Sequence, residues 1–172
     1  MEKLYNKIIA KFETDEVLNE FINAGITPPK YIDLYTGQDL KTGNFDLFTG
    51  NSLFMSWDID HTLDPSIATV TFRLAFEQLL DTSNTSLNRE LALNFFTYIQ
   101  KVSEVLDGFE SETTSKLKLI HEGFNKMDSI VDVYLLEYTC AYIGRNSQKN
   151  RLVGSFDNLQ LSGQLVDKYD IL

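Results

Sequence analysis

Residues 68–78 read ATVTFRLAFEQ, and this stretch decides the fold. Every second position is apolar, while threonine, arginine, alanine and glutamate stand between; the apolar set is Val70, Phe72, Leu74 and Phe76. A period of two is typical of a β-strand with one buried face. The stretch therefore predicts a strand whose apolar face is covered by another layer of the protein.

The segment before it, SLFMSWDIDH (residues 52–61), alternates in the same way, with Leu53, Met55, Trp57 and Ile59 as its apolar set. A short loop joins the two segments, so they are expected to form an antiparallel pair. The alternation places Asp58 and Asp60 together on the wetter face. His61 then points the other way or lies in the loop that leads to Pro65.

A helix is predicted after the polar run DTSNTS (residues 81–86), which supplies capping side chains. It extends from Leu87 to about Leu106, and Gly108 stands where a helix stops. Its buried stripe is predicted to be Leu87, Leu91, Phe95, Ile99, Val102 and Leu106. We expect Phe95 and Ile99 to pack on Phe72 and Leu74 of the strand predicted at residues 68–78.

The remaining segments complete the predicted fold. Helical spacing of apolar residues predicts helices in the first dozen residues and from Asp15 to about Asn23, and Pro28-Pro29 enforces an extended entry into residues 31–35. Further strands are predicted at 116–120 and 130–142, the second apolar on both sides and hence central or covered. The fold class is α+β, a mainly antiparallel sheet of about four strands with an N-terminal helix and one long helix packed on one face.

The composition limits the classes of function. The net charge is −10, and residues 31–65 hold six aspartates and one lysine, which predicts a solvated acidic surface and disfavours nucleic-acid binding. No apolar run approaches the ~20 residues of a membrane span, and residues 1–16 lack a signal-peptide segment. The single cysteine, Cys140, is expected to be a small buried hydrophobe. We therefore expect synthesis in the cytoplasm.

Asp58, Asp60 and His61 form the most suggestive group for chemistry, because carboxylates beside an imidazole serve metal binding and proton transfer. A zinc or redox site needs three or four converging ligands, and the chain has two histidines. His121-Glu122 begins a metalloprotease motif, but Asn125 stands where its second histidine belongs. No phosphate loop or nucleophile elbow is present. The sequence predicts no enzyme, cofactor or metal; a metal-dependent enzyme using this corner remains an alternative.

The last residues, 144–172, change character. Apolar residues are frequent but keep no long period, and basic residues stand near the start. A solvated tail is normally poor in apolar residues, so the segment predicts an arm that docks on a neighbouring subunit. Its predicted contact residues are Arg145, Lys149, Arg151, Phe156, Leu161, Leu165 and Val166. The domain proper is then residues 1–143.

The order of these elements resembles the tail-terminator or tail-completion proteins of tailed bacteriophages. The similar pieces are LYNKII (4–9), YIDLYTGQ (31–38), SLFMSWDI (52–59), ATVTFRLAF (68–76), the helix 87–106 and VDVYLLEYTCAY (131–142). The IDLY segment and the last strand look most like versions from phages of Bacteroidetes hosts. The segment Thr14–Gly25 and the C-terminal segment depart from that pattern.

The resemblance implies a structural virion protein of the neck or tail, made in the host cytoplasm. It implies a ring of six or twelve copies that closes or joins the tail tube, contacts neighbouring neck or tail proteins and lets DNA pass through its lumen. No specific nucleic-acid contact and no membrane contact are implied. A cytoplasmic α+β binding or adaptor protein is the alternative from another class.

Overall fold

The computed structural model describes residues 1–48, 50–76, 82–87, 89–125 and 129–144, excepting the side chains of Phe45 and Leu91. The helices are α1 (Glu2–Phe12), α2 (Asp15–Asn23) and α3 (Arg89–Leu106). The strands are β1 (Tyr31–Leu34), β2 (Ser52–Asp60), β3 (Ser66–Phe76), β4 (Lys118–Phe124) and β5 (Asp132–Tyr142). Two 3-10 segments, Gln38–Leu40 and Thr42–Phe48, connect β1 to β2.

The strands form one sheet in the order β1-β2-β3-β5-β4. All pairs are antiparallel except β1 with β2, which is parallel. The α+β class and the mainly antiparallel sheet are confirmed. The described sheet has five strands rather than about four, because the extended segment predicted at 31–35 pairs along β2 and becomes an edge strand.

The strand predicted from residues 68–78 is β3, and it is bonded on both edges. Its residues pair with β2 on one side and with β5 on the other, over nearly its whole length. β5 lies between β3 and β4, as its two apolar sides predicted. Strands hydrogen-bonded on both sides fix the register of the whole sheet.

All three described helices cover one face of this sheet and share a single apolar core with it. The four residues expected to pack together are buried there: Phe72, Leu74, Phe95 and Ile99. α1 contributes Leu4, Ile8 and Phe12, and α2 contributes Val17 and Phe21. The prediction of helices packed on one face is confirmed.

Helix α3 begins at Arg89, two residues later than predicted. Leu87 precedes the helix and is fully exposed, so its place in the buried stripe was wrong. The Leu91 side chain is not among those described, so its place in the buried stripe stays a prediction. Gly108 follows the helix with φ +66°, a conformation that glycine adopts without steric cost, and the predicted stop is confirmed.

Helix α2, Asp15–Asn23, matches its predicted range. The Thr14 hydroxyl accepts a hydrogen bond from the Val17 amide at 3.4 Å and caps its first turn. Gly25, with φ +70°, ends the helix, as expected from its place before Pro28-Pro29.

The opposite face of the sheet carries no described α-helix, and we call it the helix-free face. A smaller apolar cluster of Phe48, Phe54, Ala75, Val131 and Val133 covers one end of it, beneath the 3-10 segment Thr42–Phe48. The rest of this face is polar, as the alternation of β2 and β3 predicted. Asp58 pairs across the sheet with Thr69, and Thr69 with Thr139.

The predicted arm falls outside the described residues, apart from Gly144. The contact residues expected there therefore stay predictions: Arg145, Lys149, Arg151, Phe156, Leu161, Leu165 and Val166.

Replacing Phe95 with alanine tests the contact between α3 and the sheet. Phe95 is fully buried, and its ring lies 4.8 Å from Phe76 and 6.3 Å from Tyr134, measured between centroids. Phe95→Ala should lower the free energy of unfolding by about 3–5 kcal/mol, through lost contacts and a cavity. The matched control is Phe96→Ala, one residue further and 46% exposed. In urea denaturation, equal effects of the two variants would contradict this packing.

Candidate functional site

The corner of Asp58, Asp60 and His61 is a turn at the end of a hairpin. Asp60 is the last residue of β2, and its Oδ1 accepts hydrogen bonds from the Thr62 amide at 2.8 Å and the Thr62 hydroxyl at 2.6 Å. These bonds favour the ionised form and hold the pKa of Asp60 below its usual value. The carboxylate thus stabilises the loop that follows it.

The other two groups of the corner do not converge with Asp60. His61 lies in the loop, where its Nδ1 is 2.9 Å from the Ser66 hydroxyl. Asp58 is exposed on the helix-free face of the sheet. Within the described part of the chain, no group of three or more His, Cys, Asp or Glu side chains could hold a metal ion. His121 and Glu122 lie in β4 rather than on a helix.

The double variant Asp58→Asn/Asp60→Asn tests whether this corner has a chemical role. Asparagine keeps the shape of both side chains and can still accept the Thr62 bonds, so the midpoint of urea denaturation should stay close to that of the unaltered chain. Isothermal titration with Mg²⁺, Ca²⁺ and Zn²⁺ should show no stoichiometric binding to the unaltered chain. Tight binding that the double variant loses would instead make the corner a metal site.

Asp39 and Arg73 form an ion pair on the helix-free face. Arg73 Nη2 donates to Asp39 Oδ2 at 2.8 Å, and the Asp39 side chain is only 1% exposed. The expectation that the aspartates of residues 31–65 form one solvated surface is therefore wrong for Asp39. Asp33 is half-buried as well and accepts a bond from the Tyr31 hydroxyl at 2.9 Å.

This pair fastens the 3-10 segments to the sheet. The Arg73 guanidinium lies 4.2 Å from the centre of the Tyr35 ring, a cation–π contact. Burial raises the pKa of Tyr35, and the nearby Asp39 carboxylate raises it further, while Arg73 opposes this. The Asp39 carbonyl also accepts a bond from the Ile130 amide at 2.9 Å. Residues distant in sequence thus meet at one buried charge pair.

Breaking this pair on one side should cost more than replacing it entirely. Arg73→Met leaves an uncompensated buried carboxylate and should lower the free energy of unfolding by about 3–5 kcal/mol, whereas Asp39→Leu/Arg73→Met should cost less than Arg73→Met alone. Urea denaturation at pH 7 measures both.

The exposed Lys101–Glu104 pair is the control, because Glu104→Gln there should cost at most about 1 kcal/mol. Strictly additive effects of the two single changes, Asp39→Leu and Arg73→Met, would show that Asp39 and Arg73 do not interact.

A groove of about 530 Å³ runs between α3 and β4, and we call it the α3–β4 groove. One side of the helix forms the first wall, through Phe96, Ile99, Gln100, Ser103, Glu104 and Asp107. Leu119, Glu122 and Tyr134 form the wall on the sheet. The helix residues recur at spacings of three and four, so they form a single stripe along the axis.

The two ends of this groove differ in chemistry. Asp107, at the C-terminal end of α3, and Glu104, one turn before it, make one end acidic, whereas Phe96 lies at the other end. The Lys101 ammonium is bonded to Glu104 at 2.6 Å, and this bond lowers the pKa of Glu104. Burial raises the pKa of Tyr138 beneath the groove, and the carboxylates of Asp107 and Glu122 raise it further.

Large apolar side chains are exposed at the other end of the groove. We call Leu93, Phe96 and Phe124 the aromatic patch; Phe96 and Phe124 are 46% and 43% exposed. Their rings meet edge to face with centroids 6.2 Å apart, and Phe124 packs likewise on Tyr134 at 5.1 Å. The sequence did not predict this patch. Its only signal was Leu93 and Phe96, which stand on α3 outside the buried stripe.

The patch lies beside an edge of the sheet. β4 is an edge strand, and a register shift between Leu119 and His121 interrupts its pairing with β5. At the opposite edge β1 has four residues, and Asp33 Oδ1 accepts a bond from the Leu34 amide at 2.7 Å. Short strands, charged side chains and register shifts all discourage pairing with other chains, so both described edges are protected against it.

No protein-family model matches the chain, and no curated protein is similar to it. Among the described helices, none has both the length and the apolar character needed to cross a membrane.

Proposed function

We propose that this chain is a structural virion protein that assembles into a ring in the head-to-tail connector or tail of a tailed phage. The ring closes or joins the tail tube and lets DNA pass. The observation that carries the proposal is the aromatic patch beside the α3–β4 groove, a surface suited to contact with another protein chain. The element order and its resemblance to tail-completion proteins supply the type of assembly.

Exposed aromatic side chains grouped in this way are typical of contact surfaces. Interfaces are enriched in phenylalanine, tyrosine and tryptophan, which bury much apolar area with little loss of side-chain freedom. Phe96 and Phe124 already hold each other's rings in place. A partner that covers them would therefore gain burial without first ordering the patch.

Charge supports the passage of DNA without its capture. The chain carries a net charge of −10, and Asp58, Asp60 and Asp64 are exposed at one hairpin. Cationic walls would bind the phosphate backbone and slow its movement, whereas acidic walls repel it. An acidic subunit thus suits a conduit better than a DNA-binding module.

The alternative of a binding or adaptor protein uses the same aromatic patch for a different partner. Oligomeric state separates the two, because a ring subunit must associate with copies of itself and an adaptor need not. A metal-dependent enzyme gains no support from the corner, since Asp60 and His61 contact the hairpin itself.

The mass of the full chain in solution tests the proposal. Light scattering behind a sizing column should give six or twelve times the 19.7 kDa of one chain, at concentrations in the micromolar range. Phe96→Arg places a charge in the patch and should weaken association by ~30-fold or more, the loss of ~2 kcal/mol typical of a central contact residue.

The matched control is Leu40→Arg, because Leu40 is similarly exposed but follows Asp39 on the helix-free face. This variant should retain the mass of the assembly. A mass of one chain at every concentration would overturn the ring proposal and leave the adaptor.

A further inference from the structure

The α3–β4 groove is acidic at one end and aromatic at the other, and one segment of this chain has the complementary order. Residues 145–156 read RNSQKNRLVGSF, with Arg145, Lys149 and Arg151 first and an apolar group after them. That stretch contains no acidic residue. The basic residues match Asp107 and Glu104, of which Glu104 also bonds Lys101 on its own helix, and the apolar ones match the aromatic patch.

The root of this segment emerges on the side of the domain where the acidic end of the groove lies. The Gly108 amide, just after α3, donates to the Leu117 carbonyl at 3.2 Å. The neighbouring residues reach β5, because Ser115 bonds to Ala141 at 2.9 Å and Ile143 bonds to Thr113 at 2.9 Å. The end of β5 and the end of α3 are therefore at the same side of the domain.

The reach of this segment also fits the length of the groove. From Phe96 to Asp107 the helix rises about 16 Å, at ~1.5 Å per residue. Twelve extended residues span up to about 40 Å. Residues 151–156 span up to about 20 Å and can follow the whole groove, which leaves residues 145–150 to bridge two subunits.

We propose that the α3–β4 groove of one copy binds residues 145–156 of a neighbouring copy, with Arg151 at Glu104 and Asp107, the apolar residues after it on the aromatic patch, and residues 145–150 bridging the two copies. This inference rests on the proposed function, since a ring supplies the neighbour. Within one copy the segment would have to cross residues 113–115, which are bonded alongside the end of β5. Exchange between copies avoids this crossing and links the subunits.

Photo-crosslinking in the full chain tests whether the α3–β4 groove is the acceptor of this segment. Phe96→p-benzoylphenylalanine places a crosslinker at the patch, and chains of natural and heavy isotope composition are mixed before irradiation. Mass spectrometry should find position 96 joined to residues 145–156, in pairs that combine light and heavy chains. Leu40→p-benzoylphenylalanine, on the opposite face of the sheet, is the control and should give no such peptides.

A charge exchange tests the direction of the segment. Asp107→Lys should lower the crosslinking yield by up to about fivefold, as expected for the loss of an exposed ion pair. Adding Arg151→Glu to that variant should restore the yield. Absence of that rescue would overturn the proposed direction.

Light scattering on the same samples separates this inference from the proposed function. An assembled sample in which position 96 joins other segments, joins residues 145–156 only within one copy, or joins nothing overturns the acceptor and leaves the ring intact. A sample that contains only single chains overturns the ring and the exchange together.

Discussion

The structure depends on the register of β3, which is hydrogen-bonded on both edges. Its residues Ala68, Val70, Phe72 and Leu74 point into the helix-covered core and are fully buried. A slip of one residue would exchange these side chains for Thr69, Thr71 and Arg73. The resulting loss of apolar burial is large, at ~25 cal/mol per Å² of apolar surface, so only one register is stable.

That register also places the groups on the other face. Arg73 points away from the core because Phe72 and Leu74 point into it, and it meets Asp39 there. This contact also holds the first 3-10 segment against the sheet, since Asp39 belongs to that segment. The helices are selected in the same way, because α1, α2 and α3 each present the apolar stripe that the core face of the sheet requires.

Periodicity predicted the elements that bury one face, and it failed where burial does not alternate. α1, α2, β2, β3 and β5 were predicted nearly to their ends. β4 was predicted at 116–120 but lies at Lys118–Phe124, because most of this edge strand is exposed and its sequence shows no apolar alternation. Leu87 fits the helical spacing, but the helix begins after it, and the spacing does not show where the first turn forms. The Asp39–Arg73 pair spans 34 positions, and a single sequence holds no signal for a contact of that separation.

The candidate site was harder to predict than the fold, for a related reason. Asp58, Asp60 and His61 stand together in the sequence, but Asp60 bonds to Thr62, His61 lies beside Ser66, and Asp58 is exposed on the sheet. Phe96 and Phe124 stand far apart, and only the packing of α3 beside β4 joins them. A contact surface is made of residues from several elements, so it becomes visible when the elements are placed. The proposed contact surface lies where α3 packs beside β4, at one edge of the sheet.

A reconstruction of the full chain by electron cryomicroscopy tests that account most directly. The account predicts a closed ring of six or twelve copies in which each α3–β4 groove is covered by the adjacent subunit and the hairpin at residues 60–66 is free of that contact. A ring whose subunits meet elsewhere and leave Phe96 and Phe124 exposed to solvent would contradict it.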